Sequence, residues 1–358
     1  MTDNKLKSPK IIAGPCSAES YEQLFQTTQA IAALGIKEIR AGVWKPRTRP
    51  NSFEGIGIAA LDWISKISKE LNVDFTIEVA SAQHVELALK HNLKKLWIGA
   101  RTSVNPFTVQ EIADALQGAD VDVLVKNPVN PDLALWLGSI ERIENANVKS
   151  VGAIHRGFSS FRKSKYRNEP VWQIPIELKR HKPSIKLICD PSHIGGNREM
   201  IFDISQKALD LGYDGLMIET HIDPDTALSD AKQQITPQTL GKYLSEFKIR
   251  SSTSDNIQFK SKLEELREKI DSIDHDLIET LSSRMKIIQL IGEYKRDNNV
   301  TIFQLERWKE IIKSRPKWAA SLDLNQEYIE EIYKLIHEES LKTQTDILNT
   351  KDLKETQS

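Results

Sequence analysis

The stretch DFTIEVASAQHVELALKHNLKKLWIGAR, residues 74–101, decides the fold. It opens on an apolar, β-branched run (Asp74–Val79), passes through a segment with helical periodicity (Ser81–His91) and closes on a second apolar run (Lys95–Ile98). Strand, helix, strand at this length is a right-handed crossover between parallel strands. Working outward, the same kind of run recurs at Lys10–Ala13, Ile36–Arg40, Val121–Val125, Ser150–Ile154, Ile185–Cys189 and Tyr213–Ile218, with helical patterns such as Phe202–Leu211 between most of them. Eight such units within residues 1–250 predict a TIM (β/α)8 barrel. An open doubly wound sheet is the competing fold, but GPCS follows the first strand, without the glycine fingerprint of that class.

Barrel active sites lie at the C-terminal ends of the strands, so the residues found there are a test. Cys16 follows the first strand, Arg40 ends the second with Lys45 and Arg47 beyond it, and Glu78 lies in the third. Arg101, Lys126 and Arg156 follow the fourth, fifth and sixth, Asp190 and His193 the seventh, and Glu219 and His221 the eighth. Arg40, Lys45, Arg101, Lys126 and Arg156 bring five cations to one mouth, which suits a phosphorylated or carboxylated substrate. Cys16, His193, Glu219 and the later Asp230 carry the thiolate, imidazole and carboxylate groups of a divalent metal site, better matched to Mn, Fe, Co or Zn than to Mg. A lone cysteine at a strand end is more often a small core residue, and Cys189 is assigned that role. His155 and His221 either line the site or only pack beside it.

The 358 residues hold 49 Lys+Arg against 50 Asp+Glu, a net charge of -1 that argues against a nucleic-acid binder. No apolar run reaches membrane-spanning length, the N-terminus lacks the apolar core of a signal peptide, and two cysteines cannot form a disulfide framework. The expectation is a soluble, cytoplasmic protein. Of 16 glycines 15 fall in residues 1–250, as do 13 of 14 prolines, whereas charged residues rise from 61 of 250 to 38 of 108 in the remainder. The chain therefore joins a turn-rich unit to a helical one. The expected boundaries are a barrel over 1–250, a linker over 251–259 within the polar RSSTSDNIQ, a helical domain over 260–345 and a polar tail over 346–358.

GPCS (14–17), IRAGVWKPRTRPNSFEGIG (39–57), IGAR (98–101), VKNPVNPD (125–132), DPSHIGG (190–196), GLMIETH and ALSDAKQQITP (within 215–237) resemble 3-deoxy-D-arabino-heptulosonate-7-phosphate (DAHP) synthases of the short type I form. The resemblance implies condensation of phosphoenolpyruvate with erythrose 4-phosphate, and covers residues 8–245. It implies that Cys16, His193, Glu219 and Asp230 hold the metal, and that Arg40 and Lys45 serve the phosphoenolpyruvate carboxylate and the reacting centre. Arg101, Lys126 and Arg156 would take its phosphate, and Arg47 and Thr48 the sugar phosphate. KPRT argues against the sister enzyme that uses arabinose 5-phosphate. Lys45 is a candidate proton donor, its pKa expected to be depressed by neighbouring cations. His155 stands where many relatives carry Glu, and residues 158–168 are unusually basic.

In the last 108 residues, Leu263, Leu266, Ile270, Ile273, Leu277, Leu281, Met285, Ile288 and Ile291 recur in steps of three and four, predicting one helix of about 35 residues from Lys262. Such a stripe cannot be covered within a small monomer and calls for a partner chain. Shorter helices are expected at Leu305–Lys313 and Gln326–Lys342, divided by SRPKWAASLDLN. LREKID (266–271) with Arg284, Lys295, Arg307, Ser340 and Gln344 at their spacings resembles the all-helical chorismate mutases, which rearrange chorismate to prephenate without metal or cofactor. The resemblance implies that Arg267 (from a partner), Arg284 and Arg307 hold carboxylates and that Lys295 and Gln344 serve the ether oxygen. Trp308 departs from the Glu that commonly contacts the substrate hydroxyl; Glu306 and Glu310 lie nearby. Two readings follow: a bifunctional homodimer whose synthase is inhibited by prephenate or chorismate bound at the helical domain, or a synthase carrying a silent dimerisation and regulatory module.

Overall fold

Eight parallel strands close on themselves: β1 (Lys10–Gly14), β2 (Glu38–Ala41), β3 (Asp74–Val79), β4 (Lys95–Ile98), β5 (Asp122–Lys126), β6 (Ser150–His155), β7 (Lys186–Cys189) and β8 (Gly215–Glu219). They pair in chain order, and β8 returns to β1 with Lys10 opposite Gly215 and Gly14 opposite Glu219. The computed structural model describes residues 8–45, 53–161, 164–251 and 253–349. The closed barrel is the TIM arrangement, and the open doubly wound alternative is excluded. Helices α1 (Tyr21–Ala32), α2 (Ile58–Leu71), α3 (Ala82–Lys90), α4 (Pro106–Ala115), α5 (Leu133–Asn145), α6 (Gln173–His181), the short α7 (Pro191–Gly195), α8 (Ile201–Asp210) and α9 (Pro237–Glu246) complete the unit. Their starts are written in the sequence. Ser20, Ser81, Asn105, Asp132 and Thr236 each accept a hydrogen bond from a backbone N–H of the first turn, contributing about 1 kcal/mol apiece.

Side-chain alternation along the strands builds two cores. One lies between strands and helices and includes Ile39, Ile77, Val123, Ala153, Cys189 and Ile218. The other is an apolar cluster of Ile12, Trp97, Ile154, Ile188 and Met217, with Leu124 against it. Two residues beyond four of these come Lys126, Arg156, Asp190 and Glu219. A period of two puts each polar group on the same face as its apolar predecessor, one layer nearer the C-terminal rim.

The chain divides into two compact units, Met1–Ser252 and Thr253–Ser358. In the second, α10 (Ile257–Asp297) runs for 41 residues, about 60 Å at 1.5 Å per residue. It begins inside the stretch read as linker, because Asn256 caps it through a bond from the Phe259 N–H. The following α11 (Leu305–Ala320) passes through Pro316, where the sequence predicts a break. Proline removes one backbone bond there, but Pro316 and Ala319 are both buried, and that packing keeps the helix going. The last helix, α12 (Gln326–Asn349), takes in the first four residues of the expected tail. Among the described residues no helix is long and apolar enough to cross a membrane.

Candidate active sites

At the barrel rim Cys16 Sγ and carboxylate oxygens of Glu219 and Asp230 all lie within 4.8 Å of one another. His193 Nε2 stands 3.8 Å from the Glu219 carboxylate. His193 rides on α7, whose cap is Asp190: one Asp190 oxygen accepts the His193 N–H at 3.1 Å, and the other lies 2.8 Å from Nδ1. Asp230 holds φ 48, a left-handed conformation unusual outside glycine and frequent at functional positions.

The donor set fits a divalent cation. Burial, then Glu219, pushes the Cys16 thiol up to about 12, so the protein alone keeps it protonated; a bound metal reverses that preference. The acidic groups are met by bases. Lys45 Nζ is 2.9 Å from Cys16 Sγ, Arg40 is 3.0 Å from Glu219 and Arg167 is 3.1 Å from Asp230. Gly42 permits the first contact, since a Cβ there would meet the Cys16 carbonyl oxygen at 2.2 Å and Lys45 Cδ at 3.0 Å.

Arg40 and Lys126 are almost fully buried and both lie over the Trp97 ring, at 5.1 and 5.6 Å. Lys126 bonds Asp190 at 2.8 Å. Nε and Nη1 of Arg40 have no hydrogen-bond partner among the described residues, although buried donors are ordinarily paired. Arg156 donates to Asn168 Oδ1 at 2.6 Å; burial, then the neighbouring Arg167 and Arg101, brings its pKa down to about 10 against the pull of Asp190. Arg101 itself is exposed. Glu78 accepts from Trp97 Nε1 at 3.1 Å and orients that ring.

One sequence expectation at this site is overturned. Lys45 is not depressed: burial lowers its pKa, but Cys16 and Glu219 outweigh burial, and the net shift is upward. His155 points away from the rim, its Nδ1 on the Tyr213 hydroxyl at 2.9 Å and Nε2 on the Pro170 carbonyl at 2.7 Å. Arg167 was missed as a site residue; its only signal was the basic segment 158–168. His221 is buried, with Nδ1 accepting the Asp223 N–H at 3.0 Å. Arg47 and Thr48 lie outside the described residues.

In the helical unit Arg284 donates to Ser340 Oγ at 2.8 Å and Lys295 to the Ile302 carbonyl. Gln344 is buried, its Oε1 without a hydrogen-bond partner among the described residues and its Nε2 on the Ser340 carbonyl at 3.1 Å. Gly292 lets α10 and α12 approach, since a Cβ there would sit 2.9 Å from Ile347 Cδ1 and 3.3 Å from Gln344 Cγ. Arg307 pairs with Glu310 on the surface of α11. Arg267 is exposed beside Glu264 at 3.5 Å and does not join the others.

Residues 4–253 match the DAHP synthetase I family. The chain belongs to that family. Residues 266–345 of this DAHP synthetase I member match chorismate mutase type II. Over 238 residues, 66% of this chain and 68% of the relative, it is 30% identical to the phospho-2-dehydro-3-deoxyheptonate aldolase of Thermotoga maritima. A crystal structure of the aldolase (DAHP synthase) from that organism aligns with a TM-score of 0.60 at 28% identity, covering 66% of this chain and 67% of that one. Over 90 residues it is 34% identical to the bifunctional chorismate mutase/prephenate dehydratase of Buchnera aphidicola subsp. Schizaphis graminum, of which it spans 23% and which covers 25% of this chain. The chain thus joins a DAHP synthase domain to a chorismate mutase domain, two enzyme domains of the shikimate pathway.

Proposed function

We propose that the barrel condenses phosphoenolpyruvate with erythrose 4-phosphate in a metal-dependent reaction, and that the helical unit from Ile257, beyond a linker that ends by Asn256, forms a working chorismate mutase. The observation that carries the first part is the thiol, imidazole and carboxylate cluster beside the buried Arg40, two of whose donors have no partner among the described residues. Cys16, His193, Glu219 and Asp230 would hold the metal, which when bound supplies Lewis-acid polarisation of the sugar's aldehyde oxygen. Arg40 and Lys45 then grip the carboxylate end of phosphoenolpyruvate, and Lys126, Arg156 and Arg101 its phosphate, so that two mutually repelling anions are held in reacting order. Lys45, charged and next to the reacting centre, is the proton source. Arg47 and Thr48 take the sugar phosphate. Phosphate release from the two substrates tests this reading: loss of activity on chelation is expected, and arabinose 5-phosphate competing equally would point to the sister enzyme.

For the mutase, Arg284 and Arg307, with Arg267 from a second copy, clamp the two carboxylates of chorismate, while Lys295 and Gln344 face the ether oxygen. The second copy is supported by α10, where Leu266, Ile270, Ile273 and Leu277 are 46–64% exposed. Prephenate, bound at this domain, inhibits the barrel, which requires different affinities for two states of the dimer. Arg284→Ala is expected to lose chorismate turnover and prephenate sensitivity together while DAHP formation persists. If the wild-type chain leaves chorismate untouched, the silent-module reading, which Trp308 favours, replaces this one.

A further inference from the structure

His337 lies on α12 three residues before Ser340 and seven before Gln344, spacings that put all three on one helix face. Ser340 receives Arg284 on that face, so His337 looks into the same space as the cations. Its ring lies flat on Trp308 of α11, with centroids 4.1 Å apart and 14° between the planes, and Phe303 flanks it at 6.1 Å. Nε2 is buried and has no hydrogen-bond partner among the described residues. Burial, then Arg284 and Lys295 of α10, lowers the imidazole pKa, favouring a neutral ring, whose Nδ1–H tautomer has Nε2 free to accept.

Trp308 stands directly after Arg307, where the resembling mutases commonly present a carboxylate to the substrate hydroxyl. Indole offers a donor and no acceptor. The missing acceptor and the unspent one are therefore in van der Waals contact. An orphaned nitrogen in such a place is unfavourable unless a ligand satisfies it.

We propose that His337 contacts the ring hydroxyl of chorismate, accepting its hydrogen bond at Nε2, with Trp308 as the flat surface that fixes the imidazole plane. The proposal rests on the mutase reading above and gives it a specificity residue in place of the absent glutamate.

The test compares chorismate with an analogue lacking the ring hydroxyl, on the full-length chain. Wild type is expected to bind chorismate more tightly than the analogue. His337→Ala should weaken chorismate binding by about tenfold and leave the analogue unchanged, erasing the discrimination, with helicity and DAHP formation intact. His337→Gln, which keeps an acceptor, should restore part of it. Equal loss for both ligands in His337→Ala, or discrimination undiminished in both variants, overturns the proposal. A wild-type chain that does not turn over chorismate overturns the mutase reading itself, and this inference with it.

Discussion

Arg156 and His155 are neighbours in sequence with opposite surroundings, because a strand turns successive side chains to opposite faces. Arg156 reaches the rim; His155 enters the layer between strands and helices, among Phe158, Trp172 and Tyr213. Burial there brings the imidazole from 6.5 to about 3. The unfolded chain therefore binds the extra proton between those values, so the stability contribution is full above about 6.5 and is lost as pH falls toward 3, at no more than about 1.4 kcal/mol per unit. Of the groups facing the ring, Tyr213 is shifted further up, Asp190 well down, and Arg156 stays charged in this window. Denaturation at pH 7 and pH 5 should show a smaller pH penalty for His155→Gln than for wild type; equal penalties would contradict the assignment. Cys16 gives a second prediction. Cys16→Ser should lose bound transition metal, read by elemental analysis after dialysis, while the barrel stays folded; full metal retention would remove the thiol from the ligand set.

At the scale of elements, the strands were legible because each is a short apolar run between turn residues, and the rim residues were legible because a barrel assigns function to strand ends. The four proposed ligands come from four separate places in the chain, and only that rule gathers them. What the pattern could not provide was packing. Asn256 starts α10 inside a polar stretch that composition alone reads as linker, and Pro316 fails to end α11 because tertiary burial outweighs its local preference. Arg167 was illegible for a related reason: a basic loop does not announce which of its cations reaches the Asp230 carboxylate. Gly292 shows the same principle between helices. Gly292→Val puts branched bulk against Ile347 and Gln344, and should lower chorismate turnover at least tenfold with DAHP formation unchanged; wild-type turnover would mean that the α10 and α12 contact does not position Gln344.

For the whole molecule, a helix of 41 residues with a single buried position, Gly292, in the isolated chain presents an apolar stripe larger than scattered exposure explains. Replacing Ile273 and Leu277 with Glu should convert a dimer to a monomer in size-exclusion chromatography with light scattering, and abolish mutase activity if Arg267 acts across the interface. A monomeric wild type would contradict the dimer. The central claim, two unlike active sites on one chain, is tested most directly by assaying one purified preparation for both reactions before and after EDTA. The account predicts DAHP formation that EDTA abolishes and chorismate conversion that EDTA leaves unchanged. Chorismate loss at the uncatalysed rate, or DAHP formation indifferent to chelation, would contradict it.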